Sequence, residues 1–130
     1  MSVALYCLVA AALLIIVSKV PVALAMHQLQ GYDNLEPRRQ QARLEGWGFR
    51  ALSAHQNSIE AFPLFAAGVL VAVQAGASPG AVDALAVTFV VARLIYNALY
   101  LLNLGTLRSL SWGVGLGCSL ALMLSPLWGL

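Results

Sequence analysis

Charge is scarce in this sequence. Seven Lys and Arg and five Asp and Glu make up 9% of its 130 residues, where a soluble domain carries about 25%. With 61% hydrophobic residues, that scarcity excludes a soluble globular domain and indicates an integral membrane protein. A net charge of only +2 offers no basic surface to a nucleic-acid partner. The two cysteines, Cys7 and Cys118, lie deep in apolar segments at opposite ends of the chain. Neither has the electropositive or paired surroundings of a reactive thiol or a disulfide, so both read as small packing residues. No metal cluster is evident, because the one histidine in the polar region, His55, has no carboxylate or cysteine at ligand spacing. No internal repeat, low-complexity segment or soluble domain is visible.

What the chain does have is long apolar runs. They give an all-α reading, one transmembrane domain over residues 1–130 with four spans near 3–26, 51–73, 80–104 and 110–127. The first span lacks a basic region before it and is too long for a signal-peptide core, which makes it a membrane helix. Lys19 and Pro21 interrupt its last third. Lys19 can snorkel to the interface or face a neighbouring subunit, and Pro21 predicts a kink. Residues 27–49 are the only markedly polar stretch. Pro37 suits the first turn of a helix, which can run from Arg38 onward to Arg50, and Trp47 and Phe49 fall where an aromatic belt lies. Pro63 should bend the second span. In the fourth, Gly113, Gly115 and Gly117 allow close helix packing.

The basic residues orient the chain. Loop one holds Arg38, Arg39 and Arg43, loop two has no Lys or Arg, and loop three is flanked by Arg108. The positive-inside rule places loops one and three in the cytoplasm and both termini on the other side.

The stretch from Arg50 to Leu64 opens a membrane-length segment yet is polar. At about 100° per residue, Arg50, Ser53, Asn57 and Glu60 share a face, and His55 points away from it. Charged groups at bilayer depth cost roughly 2.5–3.5 kcal/mol each, so such a stripe faces a bundle interior or an aqueous cavity. In the third span, Arg93, Tyr96, Tyr100 and Asn103 share a face by their spacing, with Asn97 beside them. Glu60 and Arg93 lie at similar depth, roughly 15 Å from the cytoplasmic ends of their spans. That predicts a direct pairing between them. Cations, a carboxylate, amides and phenols suit a small zwitterionic or anionic ligand, with Arg clamping carboxylates and Glu60 taking an amino group. The same stripes can instead hold subunits together through interhelical hydrogen bonds. No Ser-His-Asp arrangement is present, since His55 lies off the stripe.

The run Arg50 to Pro63, with Ala54-His55-Gln56-Asn57 followed by Glu60 and Pro63, resembles the signature of the MAPEG family, the membrane-associated proteins in eicosanoid and glutathione metabolism. The family pattern reads R-A-H-x-N-x-x-E-x-x-P. Arg93-x-x-Tyr96-x-x-x-Tyr100 and Arg108-Ser109 follow in matching order, as do the length, the span layout and the polar first loop. The minimal loops are similar to those of bacterial members and of the microsomal glutathione transferase type. The resemblance implies a homotrimer of four-helix subunits in a bacterial inner membrane. It implies glutathione as co-substrate between subunits near the cytosolic side, with an apolar electrophile arriving from the lipid. It implies Asn57, Glu60, Arg93, Tyr96 and Tyr100 as glutathione contacts, Arg108 as the residue that holds the thiolate, and Ser109 as a neighbouring polar contact.

Two positions depart from the family pattern. Ser53 and Gln56 stand where clamping arginines often occur, and Arg50, one turn earlier, is the candidate replacement. The expected activity is glutathione-dependent transfer to, or peroxide reduction on, a hydrophobic electrophile. The alternative is a non-catalytic lipid-binding, scaffold or accessory subunit with the same fold.

Overall fold

The computed structural model describes residues 1–129, so the last residue of the expected domain lies outside the described residues. All regular structure among them is helical: α1 (Val3–His27), α2 (Pro37–Gln41), α3 (Trp47–Gln74), α4 (Pro79–Leu101), α5 (Gly105–Met123) and α6 (Ser125–Trp128). The four long helices form a bundle in which α3 and α4 each pack against α1 and α5, and against each other.

Small side chains let these helices approach. Ala4, Cys7, Ala11, Ser18, Val22 and Ala25 form a buried stripe along α1 that Met26 closes at its end, set mostly by three- and four-residue steps. In lipid there is no hydrophobic drive between helices, so packing depends on such close contact. Phe65 of α3 and Phe89 of α4 stack at the centre with ring centroids 3.8 Å apart. Both cysteines are buried and free, as packing residues should be.

α1, α3 and α4 are each long and apolar enough to cross a membrane. α5 has 19 residues, but Arg108, three serines and four glycines interrupt its apolar run, and it is not among the helices apolar enough to cross. Its closest packing differs from the expected glycine pair. A Cβ on Gly113 or Gly117 would meet nothing within 4 Å, whereas one on Gly115 would lie 3.4 Å from Arg93 Cδ. The tightest approach is at Gly68 of α3, where a Cβ would lie 2.8 Å from the Ser119 carbonyl oxygen of α5.

The helix ends also differ from the sequence expectation. No helix runs from Arg38 to Arg50, because α2 stops at Gln41 and Gly46 turns the chain with φ +57° before α3. α4 ends at Leu101, with Asn103 at φ +61°, a conformation that asparagine tolerates. α5 therefore starts at Gly105, and Arg108 and Ser109 lie in its first turns rather than before it. α1 and α3 continue as helix through Pro21 and Pro63.

Two polar residues organise the ends of the bundle. Asp83 Oδ1 of α4 accepts from the Ala4 N–H at 2.8 Å, satisfying an orphan donor of the first turn of α1. Gln40, 1% exposed, donates to the Met26 and Gly31 carbonyls and accepts from the Asp33 N–H. It thereby folds the first loop onto the end of α1.

Candidate functional site

The polar faces of α3 and α4 meet where the sequence places them, but through a different residue. Arg93, on α4 and 2% exposed, donates from Nη2 to Asn57 Oδ1 on α3 at 2.7 Å. Asn57 Nδ2 in turn donates to Glu60 Oε2, one turn further along α3, at 3.5 Å. The expected direct pairing of Glu60 with Arg93 is therefore replaced by a relay through Asn57. The ion pair among the described residues is elsewhere, between Arg39 and Glu36 at 3.2 Å. Glu60 and Arg93 lie at a similar level of the bundle, joined through Asn57, but the rotation of α3 turns Glu60 outward, where it is exposed.

Around this relay lies an open cleft of about 180 Å³ between α3, α4 and α5. Asn57, Glu60 and Arg93 form its polar wall, and Leu64, Phe89, Leu116 and Trp112 its apolar one. Gly115 and Ser119 complete it from α5. Because Gly115 has no side chain, the Arg93 stem and the Phe89 ring can lie against α5 there. A cleft with one polar and one apolar wall can hold a ligand that is itself divided in this way.

From Arg93 a ladder of cations and rings runs along α4 onto α5. The Arg93 guanidinium carbon lies 4.1 Å from the Tyr96 ring centroid. Tyr96 meets Tyr100 edge-to-face with centroids 5.6 Å apart. The Arg108 guanidinium carbon lies 4.3 Å from the Tyr100 centroid. Each contact is the kind that a ring quadrupole favours. The i, i+3, i+7 spacing of Arg93, Tyr96 and Tyr100 creates the first part. The start of α5 at Gly105 brings Arg108 over the last ring.

Other candidates lie apart from the cleft. Arg50, ten residues before Glu60 on α3, does not line it, and its Nε is buried with no hydrogen-bond partner. Ser53 turns its hydroxyl back to the Phe49 carbonyl at 2.9 Å. Ser109 and Gln56 are exposed. Asn97 faces inward, donating to Ser58 Oγ at 3.3 Å and to the Arg93 carbonyl at 2.9 Å. His55 faces α1, with Nδ1 2.9 Å from Ser18 Oγ, so it is off the polar stripe as expected. No group of metal-ligating side chains forms among the described residues. Of the α5 residues that line the cleft, Gly115 is one of the glycines expected to allow close packing, and Ser119, outside that expectation, is marked by its i+4 spacing from Gly115 and its i−3 spacing from the buried Leu122.

An all-α bundle in which three helices are long and apolar enough to cross a membrane, with a half-polar cleft between α3, α4 and α5, defines an integral membrane protein. The family model of the MAPEG family matches residues 3–128, nearly the whole chain. The protein belongs to the MAPEG family, and membership supports a membrane role of the glutathione-related transferase or eicosanoid-metabolism kind. Comparison with curated proteins and with solved structures gives no match.

Proposed function

We propose that the protein is a glutathione-dependent transferase or peroxidase acting on hydrophobic electrophiles. The observation that carries this reading is the cleft of two characters, with the Arg93–Asn57–Glu60 relay on one wall and Leu64, Phe89 and Leu116 on the other. Glu60 takes the amino group of glutathione, and Asn57 and Arg93 take carboxylate or amide oxygens. Arg108, held on the Tyr100 ring, stabilises the thiolate by its charge, lowering the thiol pKa. Tyr96 and Tyr100 continue from Arg93 toward Arg108, Ser109 follows Arg108 on α5, and Arg50 stands about two turns before Asn57 on α3. The thiolate sulfur then forms a bond to the electrophilic carbon as the leaving group departs with its electron pair.

The chain acts as a homotrimer in a bacterial inner membrane, with residues 28–46 on the cytoplasmic side and both termini opposite. Exposed Glu60 and Gln56 on a membrane-length helix support assembly, since polar groups facing lipid are costly. The second reading is a non-catalytic lipid-binding, scaffold or accessory subunit. It is favoured by Ser53, which spends its hydroxyl on its own helix and offers no cation.

The test separates binding from activation. Glutathione added to the detergent-purified protein should develop the ultraviolet absorbance of a thiolate. Arg108→Ala should keep glutathione binding and lose that absorbance and turnover. Unchanged turnover in Arg108→Ala removes the role of Arg108, and absence of glutathione binding by the unaltered protein favours the second reading.

A further inference from the structure

A second groove lies on the other side of the bundle from the relay. It has a volume of about 270 Å³ and is walled by Leu14, Val17, Ser18 and Pro21 of α1 and by Leu94, Asn97, Ala98 and Leu101 of α4, over Ala51 and Ala54 of α3. The walls match: Leu14 and Pro21 are seven positions apart, as are Leu94 and Leu101, so the groove runs roughly 10 Å along two parallel helices. Its volume is about nine times the roughly 30 Å³ share of one water in the liquid. The two alanines make a floor too shallow to fill it.

The groove is apolar, but its open hydrogen-bonding capacity is all of one kind. Asn97 donates both amide hydrogens inward, to Ser58 Oγ and to the Arg93 carbonyl. Its Oδ1 accepts nothing among the described residues. Pro21 has no N–H, so the Val17 carbonyl loses its i+4 helical donor. Ser18 Oγ is already engaged with the Ile15 carbonyl and His55 Nδ1. Asn97 Oδ1, with no donor among the described residues, and the Val17 carbonyl, deprived of its i+4 donor, therefore stand beside a hydrocarbon-lined channel at membrane depth, where an unmet polar group is costly. Asn97 lies four residues from the end of α4, roughly 6 Å along the helix, the level at which the polar end of a bilayer amphiphile sits.

We infer that this groove binds a single-chain amphiphile whose polar end carries a hydrogen-bond donor, such as a hydroxyl. The donor meets Asn97 Oδ1 and the chain lies between Leu14 and Leu94. The inference is independent of glutathione, since none of its residues lines the α3–α4–α5 cleft.

The test uses long-chain probes on the detergent-purified full chain. A photoreactive decanol should label residues of α1 and α4 that line the groove. Unlabelled decanol should compete roughly two- to tenfold better than its methyl ether, the ratio expected from one net hydrogen bond. Ala98→Phe, a substitution at an exposed position, should fill the groove and abolish labelling without unfolding the protein, and Asn97→Leu should erase the preference for alcohol over ether. Equal competition by the ether, or full labelling in a folded Ala98→Phe variant, overturns the inference. Lipid extracted from the purified protein distinguishes the sources: a bound membrane amphiphile marks a resident lipid, and groove labelling on protein stripped of lipid marks a site for an exchanging amphiphile.

Discussion

Replacing Asn57 by Ala removes the one side-chain acceptor that the Arg93 guanidinium has among the described residues. Arg93 is 2% exposed, so only water admitted through the cleft that Arg93 and Asn57 line could take over the lost bond. Interhelical hydrogen bonds in membrane proteins average about 0.6 kcal/mol. A bond from a charged donor is worth more, about 1.5–3 kcal/mol, and the orphaned donor retains its desolvation cost. The contact of Arg93 with the Tyr96 ring survives the substitution and keeps the loss from growing much larger. Asn57→Ala should therefore destabilise the bundle by about 1.5–3 kcal/mol, read by reversible unfolding in mixed micelles. Asn57→Asp preserves the acceptor and should retain most of the stability. A double-mutant cycle with Arg93→Met isolates the pair, and the two losses should not add. An Asn57→Ala loss under about 0.5 kcal/mol, or strict additivity with Arg93→Met, would refute the relay as a structural link.

Four further outcomes follow from the same packing. Gly68→Ala should cost about 1–3 kcal/mol through overpacking, because its Cβ would lie 2.8 Å from the Ser119 carbonyl oxygen and 3.0 Å from Leu122 Cβ. Gly113→Ala, with open space around it, should leave the melting temperature of the isolated subunit unchanged or raised. Gln40→Ala should release the loop at 28–46, since three hydrogen bonds converge on that side chain, and limited proteolysis there should accelerate severalfold while the helices stay protected. Tyr100→Phe should preserve the Arg108 contact with the ring and any thiolate absorbance, whereas Tyr100→Leu should lose both.

The helices were legible because long apolar runs leave the backbone no other way to satisfy its hydrogen bonds in lipid. The spacing of Arg93, Tyr96 and Tyr100 gave their common face, and the motif around Asn57 and Glu60 gave the family. What stayed hidden depends on partners distant in sequence. Helical periodicity put Asn57 and Glu60 on one face, but only the rotation of α3 against α4 decides which of them reaches Arg93. Gly113 and Gly117 match a packing motif, yet the face that packs carries Gly115, against Arg93 and Phe89 of α4, while Gly68 of α3 meets α5 at Ser119 and Leu122. Gln40 and Asp83 look like ordinary surface residues, because their bonds go to backbone atoms 7–14 and 79 residues away. The positive φ at Asn103 lies just past the end of α4, which the sequence pattern alone would have extended, and that at Gly46 sets the start of α3 apart from α2.

The central claim is that the cleft beside the Arg93–Asn57–Glu60 relay is a glutathione site, and calorimetric titration of glutathione into the detergent-purified protein tests it most directly. Saturable binding that weakens by about tenfold in Glu60→Gln, the loss expected for one charge-assisted hydrogen bond, is the predicted result. No heat of binding at millimolar glutathione, or binding equal in Glu60→Gln and the unaltered protein, would contradict it.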